Sequence, residues 1–255
     1  MSAALSPAPR HGSDPVELAH AALARDGVAV IDDLIDPAVI ARCRAELARD
    51  YPDLESESER GKYRLAPRRF IAPLRVEGAL ADRAVFANPV VLDIAGRLLG
   101  EAFELDSFSL LLSLPGASQQ ALHYDAFLYP EAGIDRVLPV TALAVAIPLV
   151  PLDEIRGTTG FCLGSHRFPD RREIDFARVA AGSVLMWDYR VFHAGLANTG
   201  DSARPVLHAA FARRWWHEEV PADAVRYEKL ALPRARWSAL DPQLKRVTAR
   251  AKLYD

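Results

Sequence analysis

Residues 182–216 read GSVLMWDYRVFHAGLANTGDSARPVLHAAFARRWW. Two strand-like apolar runs, GSVLMW and PVLHAAFARRWW, flank turn-forming Asp, Gly and Asn residues, and no helical periodicity lies between them. The same texture begins near residue 102: FELDSFSLLLSL, QQALHY, VTALAVAIPLV and GFCL are strand-like, with the long loops AFLYPEAGIDRVLP and EIRGTTG among them. The first hundred residues differ. Ser13 or Asp14 caps a helix that starts at Pro15, carries Leu18 and Ala22, and stops at Gly27. GVAVIDD follows as a strand. Asp36-Pro37 opens a second helix with Ile40, Cys43 and Leu47 on one face, and Asn88-Pro89 opens a third that Gly100 ends. Helices first, then six or more strands without crossover helices, predict a mainly β protein: a sandwich or jelly roll with helices outside it.

The 255 residues are expected to form a flexible tail (1–12) and a single domain (13–255). That domain divides into helical support (13–100), a jelly-roll core (101–216) and a C-terminal extension (217–255). Half of the residues are hydrophobic, a quarter are charged and the net charge is −3, an ordinary globular balance. Cations form no stripe of domain scale, which excludes a nucleic-acid partner. Cys43 and Cys162 are too few for a disulfide framework and read as free thiols in a reducing compartment. The opening MSAALSPAPRHG lacks a signal peptide's charged start and apolar block. The longest apolar stretch, LPVTALAVAIPLVPL, is too short for a membrane span and holds three prolines. A cytoplasmic protein with no membrane partner is the expectation.

The chemistry starts from QQALHYD, residues 119–125. On a strand, His123 and Asp125 project to one side, about 6 to 7 Å apart at the backbone. His193 follows 68 residues later at the end of another strand-like run. Two histidines and a carboxylate suit a non-haem ferrous site, because they occupy one face of an octahedron and leave three positions open. The same residues also fit a half-polar strand end and a packed histidine. Arg204, at the start of RPVLHAAFA, shares a strand face with Val206, His208 and Ala210. If that face is interior, the guanidinium needs an anion such as the carboxylate of a bound acid. Pairing with Asp201 at the surface is the alternative.

QALHYD, RGTTGFCLGSH and DYRVFHAGLANTGDSARPVL resemble the three motif blocks of the phytanoyl-CoA dioxygenase family. The resemblance is strong over about residues 102 to 216, and its third block fixes His193, Gly195, Asn198 and Arg204 together. It implies a double-stranded β-helix, a cupin-like jelly-roll barrel, and an iron(II)- and 2-oxoglutarate-dependent dioxygenase. In that family pattern His123, Asp125 and His193 hold the iron and Arg204 takes the distal carboxylate of 2-oxoglutarate. Gln120 and Thr159 match positions that hydrogen-bond the co-substrate in related members; strand-edge packing explains them equally well. One departure is Leu163, where the family usually has proline before GSH. His166 of GSH is read as tying down its loop rather than as a fourth ligand, His208 as a core histidine, and Trp187, Trp215 and Trp216 as core.

The implied reaction consumes O₂ and 2-oxoglutarate, releases succinate and CO₂, and oxidises a C–H bond of a small molecule, by hydroxylation first of all. Related halogenases have Ala or Gly at the position of Asp125. The loop FLYPEAGIDRVLP and the segment RGKYRLAPRRFIAPLR are expected to wall the substrate pocket. There Arg64, Arg68, Arg69 and Arg75 suit a phosphate or carboxylate of a CoA or carrier-protein thioester, or else form a solvated basic face. Two other classes stay open on the residues: a zinc hydrolase or isomerase with the same ligands, and a binding module that has lost turnover.

Overall fold

The computed structural model describes residues 14–51, 63–126, 137–217 and 229–255. Helix α1 (Pro15–Asp26) begins where the Asp14 carboxylate accepts the Val16 N–H at 2.9 Å, and ends at Gly27 with φ of 77°. Ser13, the other candidate cap, and the tail lie outside the described residues. A side chain at residue 27 would collide with His166 and Val191, so that turn needs glycine on steric as well as conformational grounds. α2 (Pro37–Asp50) and α3 (Pro89–Leu99) start the same way, capped by Asp36 and Asn88. Their inner faces are the expected ones, with Ile40, Cys43 and Leu47 buried on α2. On α1 the buried face is Val16, Ala19, Ala22 and Leu23, with Leu18 beside it.

Ten strands build the body. β1 (Val28–Ile31), β2 (Arg64–Ala66), β3 (Arg69–Pro73), β4 (Phe103–Ser113) and β5 (Ala142–Pro148) come first. β6 (Thr159–Phe161), β7 (Asp175–Phe176), β8 (Val184–Asp188), β9 (His193–Gly195) and β10 (Arg204–Arg213) follow. Seven form one sheet in the order β1-β8-β5-β10-β4-β3-β2, and three form a smaller one, β7-β6-β9. All these pairings are antiparallel. Three of the seven strands come from the first hundred residues, so that region is part of the sheet as well as its helical cover.

The large sheet is buried on both faces, which explains why VTALAVAIPLV shows no polar alternation. Leu143, Val145 and Ile147 belong with the α1, α2 and α3 side chains in one core. Ala142, Ala144 and Ala146 turn the other way and share a second core with Phe161, Trp187 and Val206. Small residues on that inner face, Ala210 and Ala212 included, leave space between the sheets.

QQALHY departs from expectation. It is not a regular strand but touches β9 and its continuation through isolated bridges, His123 to His193 and Ala117 to Asn198. Five residues on one side (118–122) face four on the other (194–197) between these bridges, so the ladder must bulge. The C-terminal part adds β11 (Ala231–Pro233), α4 (Arg234–Ala239), α5 (Pro242–Val247) and β12 (Lys252–Tyr254), with β11 and β12 paired in parallel. Arg250 anchors this part. It pairs with Glu104 at 2.7 Å and with Asp106, while Nη2 donates to the Arg214 and Trp216 carbonyls. Lys229 reaches Asp106 at 3.0 Å. Cys43 and Cys162 are both free and buried. Among the described residues no helix is long and apolar enough to cross a membrane.

Candidate active site

His123, Asp125 and His193 converge. One ligand atom from each lies within 4.8 Å of the others. His193 sits on β9, and its backbone exchanges hydrogen bonds of 2.9 and 2.8 Å with His123, which brings the two imidazoles to 4.4 Å between centroids. Nδ1 of His123 faces Ala121 O at 2.9 Å and Nδ1 of His193 faces Val191 O at 3.0 Å. A carbonyl only accepts, so each Nδ1 carries the proton and each Nε2 offers a lone pair. Asp125 completes the set. Its Oδ2 accepts the Trp187 indole N–H at 2.9 Å, which leaves Oδ1, 3.6 Å from His193 Nε2, free for a cation. Burial holds the His193 pKa below the usual histidine range, which favours the neutral, ligating form. Two imidazoles and one carboxylate on one side of an open space fit a divalent metal with vacant positions.

The opposite wall is set by strand register. β3, β4 and β10 are neighbours, and Arg69, Ser113 and Arg204 stand in one row across them. The next inward row is Ile71, Leu111 and Val206. One step further, His208 aligns with Ala146 and Leu185. Residues of all three rows and the metal-type group line one cavity of about 310 Å³. A larger open groove of about 890 Å³ beside α3 and α5 contains none of them.

Arg204 is 7% exposed and Arg69 4% exposed, and neither makes an ion pair among the described residues. Asp201 therefore does not neutralise Arg204. Burial, then the charge of Arg69, pushes the Arg204 pKa down to about 10. Arg204 donates to Ser113 Oγ at 3.0 Å and, at 3.2 and 3.3 Å, to the carbonyls of Leu196 and Thr158. Arg69 donates to Ser113 Oγ at 2.9 Å and to the carbonyls of Ser118, Gly195 and Leu196. It straps the His193 strand to the loop before His123 while adding a second buried cation. Two adjacent buried cations without a carboxylate call for an anion.

Gln120 and Thr159 also line the cavity. Gln120 Oε1 accepts the Gly195 N–H at 2.9 Å, so its NH₂ end is the donor available to a ligand. Asn198 is fully buried and closes the turn between His193 and Arg204 through Ser113 O, Ser202 O and Gly200 N. His166 is buried against Gly27 at the end of α1, its Nδ1 has no hydrogen-bond partner among the described residues, and it does not belong to the group of three ligand-type residues. Its neighbour Ser165 accepts the Phe192 N–H at 2.8 Å, so GSH does secure the strand that bears His193. His208 lines the cavity, where burial pushes its pKa down to about 4. Trp187 and Trp216 are buried, but Trp215 is 62% exposed and not core, because β10 ends at Arg213 and the chain turns.

Of the expected pocket walls, residues 127–136 and 60–62 lie outside the described residues. Arg64, Arg68 and Arg75 stay at the surface and off the cavity, Arg68 bonded to Pro115 O and Arg75 stacked on Tyr254. Arg69 alone of that group enters. Its importance, like that of Ser113, depends on pairing between strands distant in sequence, which composition does not carry. Trp187 was legible only as an apolar residue.

The model of the phytanoyl-CoA dioxygenase (PhyH) family matches residues 23–206, from α1 into β10. The chain belongs to the PhyH family. Among curated relatives it is 27% identical over 231 residues to dioxygenase af480 of Aspergillus fumigatus, covering 84% of this chain and 72% of that protein. It is 23% identical over 194 residues to dioxygenase trt7 of Aspergillus terreus, covering 71% and 68%. The fold matches the α-ketoglutarate-dependent epimerase SnoN of nogalamycin biosynthesis with a TM-score of 0.60, at 24% identity over 78% of this chain and 82% of SnoN. It also matches AviO1 of Streptomyces viridochromogenes with a TM-score of 0.60, at 20% identity over 81% and 98%. The architecture is thus the PhyH-type jelly roll, with the antiparallel seven-stranded sheet as its larger layer.

Proposed function

We propose that this PhyH-family chain is an iron(II)- and 2-oxoglutarate-dependent dioxygenase that hydroxylates a C–H bond of a small molecule. One observation carries the reading: a His–Asp–His group and two buried guanidiniums, without ion pairs among the described residues, share one small cavity. A hydrolytic zinc site has no use for a buried cationic row beside the metal. A keto acid with a second carboxylate uses both features. The bound metal would supply coordination of the keto acid and activation of O₂. His123, Asp125 and His193 would hold it, with Trp187 orienting the carboxylate. Arg204 would bind the distal carboxylate, with Gln120 and Thr159 as neutral donors nearby.

We take the described residues as one dioxygenase domain, with its C-terminal part packed on the open ends of β4 and β10. The substrate space is the remainder of a cavity of about 310 Å³, so a small apolar or amino-acid-derived molecule fits best. An acyl thioester fits if only its acyl end enters and the CoA or carrier-protein arm stays outside. The test is a substrate screen with iron(II), 2-oxoglutarate and air that reads succinate, followed by product analysis for an added oxygen. Succinate formed with a hydroxylated product supports the proposal. Product with inverted stereochemistry and no added oxygen moves it to epimerisation, and hydrolysis that needs zinc and no keto acid rejects it.

A further inference from the structure

The bulge between the Ala117–Asn198 and His123–His193 bridges leaves carbonyls that the ladder does not serve. Ser118 O and Leu196 O accept from no backbone N–H among the described residues. Arg69 fills that gap from β3. It donates to Ser118 O through Nε at 3.0 Å and Nη2 at 2.7 Å, and Nη2 also meets Gly195 O at 3.0 Å and Leu196 O at 2.6 Å. Nη1 donates to Ser113 Oγ at 2.9 Å, so every nitrogen of the fork is engaged. Arg204 adds only a longer bond of 3.2 Å to Leu196 O. The approach is open because residue 195 is glycine: a Cβ there would overlap Gln120 Oε1 and lie 2.9 Å from Arg69 Nη1.

Both ends of the bulge are fixed, one by the paired hydrogen bonds of His123 and His193 and the other by the Ala117–Asn198 bridge. What lies between could relax by sliding one residue. Because side chains alternate, such a slip would turn His123 to the opposite face, away from His193. Ser118 stands five residues before His123, and Gly195 and Leu196 stand two and three after His193. One side chain rooted in the large sheet thus grips both ligand-bearing segments. An unpartnered carbonyl there is costly, so the register that satisfies all of them is favoured. A planar fork with five donors reaches three carbonyls and a hydroxyl at once, which a lysine ammonium on its flexible stem does not.

We propose that Arg69 is a positioning residue: its guanidinium replaces the backbone donors that the bulge lacks and so sets the spacing of the His123 and His193 imidazoles for a metal ion. This rests on the metal reading above and is independent of which keto acid or substrate follows.

Cobalt(II) is the probe, titrated into metal-free wild-type, Arg69→Ala, Arg69→Lys and Arg250→Ala protein, with the visible absorption band of the bound ion as the second readout. Arg69→Ala should bind cobalt(II) at least tenfold more weakly and with a shifted band, at a temperature where circular dichroism shows it folded. Free guanidinium ion, at concentrations too low to unfold the protein, should restore affinity and band, and methylammonium should not. Arg69→Lys keeps the charge and should still lose affinity; it decides the matter where the alanine variant does not fold. Arg250→Ala, destabilised outside the cavity, should keep the wild-type affinity and band. Wild-type affinity and band in Arg69→Lys, or a loss that Arg250→Ala shares equally, overturns the inference alone. Wild-type protein that takes up no cobalt(II) overturns the metal reading as well.

Discussion

Trp187 Nε1 donates to Asp125 Oδ2 at 2.9 Å, and the indole also packs 5.4 Å from the His193 ring. Replacing it by Phe keeps the packing and frees the carboxylate to rotate. Trp187→Phe should lower iron(II) or cobalt(II) affinity roughly 10- to 100-fold with little change in melting temperature, read by anaerobic metal titration. His208 gives a pH signature. Burial lowers its pKa to about 4 in the folded chain from an ordinary 6.5, so the unfolded chain protonates first as pH falls. The neutral imidazole's contribution is complete above about 6.5 and is lost progressively toward pH 4, in the same direction as for His166 and His193. In metal-free protein, His208→Leu should flatten that acid loss by roughly 3 kcal/mol at pH 4, measured by denaturant unfolding at several pH values. That His123, Asp125 and His193 come together beside Arg204 was legible through the motif blocks that resemble the family, since spacing alone also fits a half-polar strand end and a packed histidine. The buried Thr158 hydroxyl, without a partner among the described residues, was not legible, since that lack is a property of the folded chain.

Among the elements, strand pairing does what no motif records. Arg69, Ser113 and Arg204 come from strands far apart in sequence and form one row only through the β3-β4-β10 register. Alternation correctly turned Arg204 and His208 to one face, because β10 is regular over those residues. It failed for QQALHY, where the bulge between two isolated bridges replaces a ladder. The C-terminal elements are held by Leu232, Leu244 and Val247 in the core and by a buried ionic network around Arg250. Arg250 joins Glu104 and Asp106 in a largely buried network and also binds the carbonyls that end β10. Arg250→Ala leaves two carboxylates at 10% and 4% exposure short of a partner. It should cost about 3 to 5 kcal/mol of unfolding free energy, measured by denaturant titration, with metal affinity retained.

For the whole molecule, two faces of one sheet divide the labour. Large aliphatic side chains on the outer face bind the helices, and alanines on the inner face keep a cavity open. Composition reported the apolar strands but not which face was hollow, since that follows from the size of the residue at each inward position. The resulting pocket stays cationic on one wall within a chain of net charge −3. Filling it should stabilise the fold: saturating iron(II) and 2-oxoglutarate at about 100 times its dissociation constant should add about 2.7 kcal/mol. That corresponds to a rise of several degrees in melting temperature for a chain of this size, read by anaerobic calorimetry.

The decisive measurement is the anaerobic binding of 2-oxoglutarate to wild-type, His193→Ala and Arg204→Ala protein, each with and without iron(II). The expected result is keto acid chelation that requires the metal, disappears with His193, and weakens at least tenfold without Arg204 at unchanged metal affinity. Iron uptake that survives loss of His193, or 2-oxoglutarate affinity indifferent to Arg204, would contradict the docking of a ferrous ion and a keto acid side by side in this cavity.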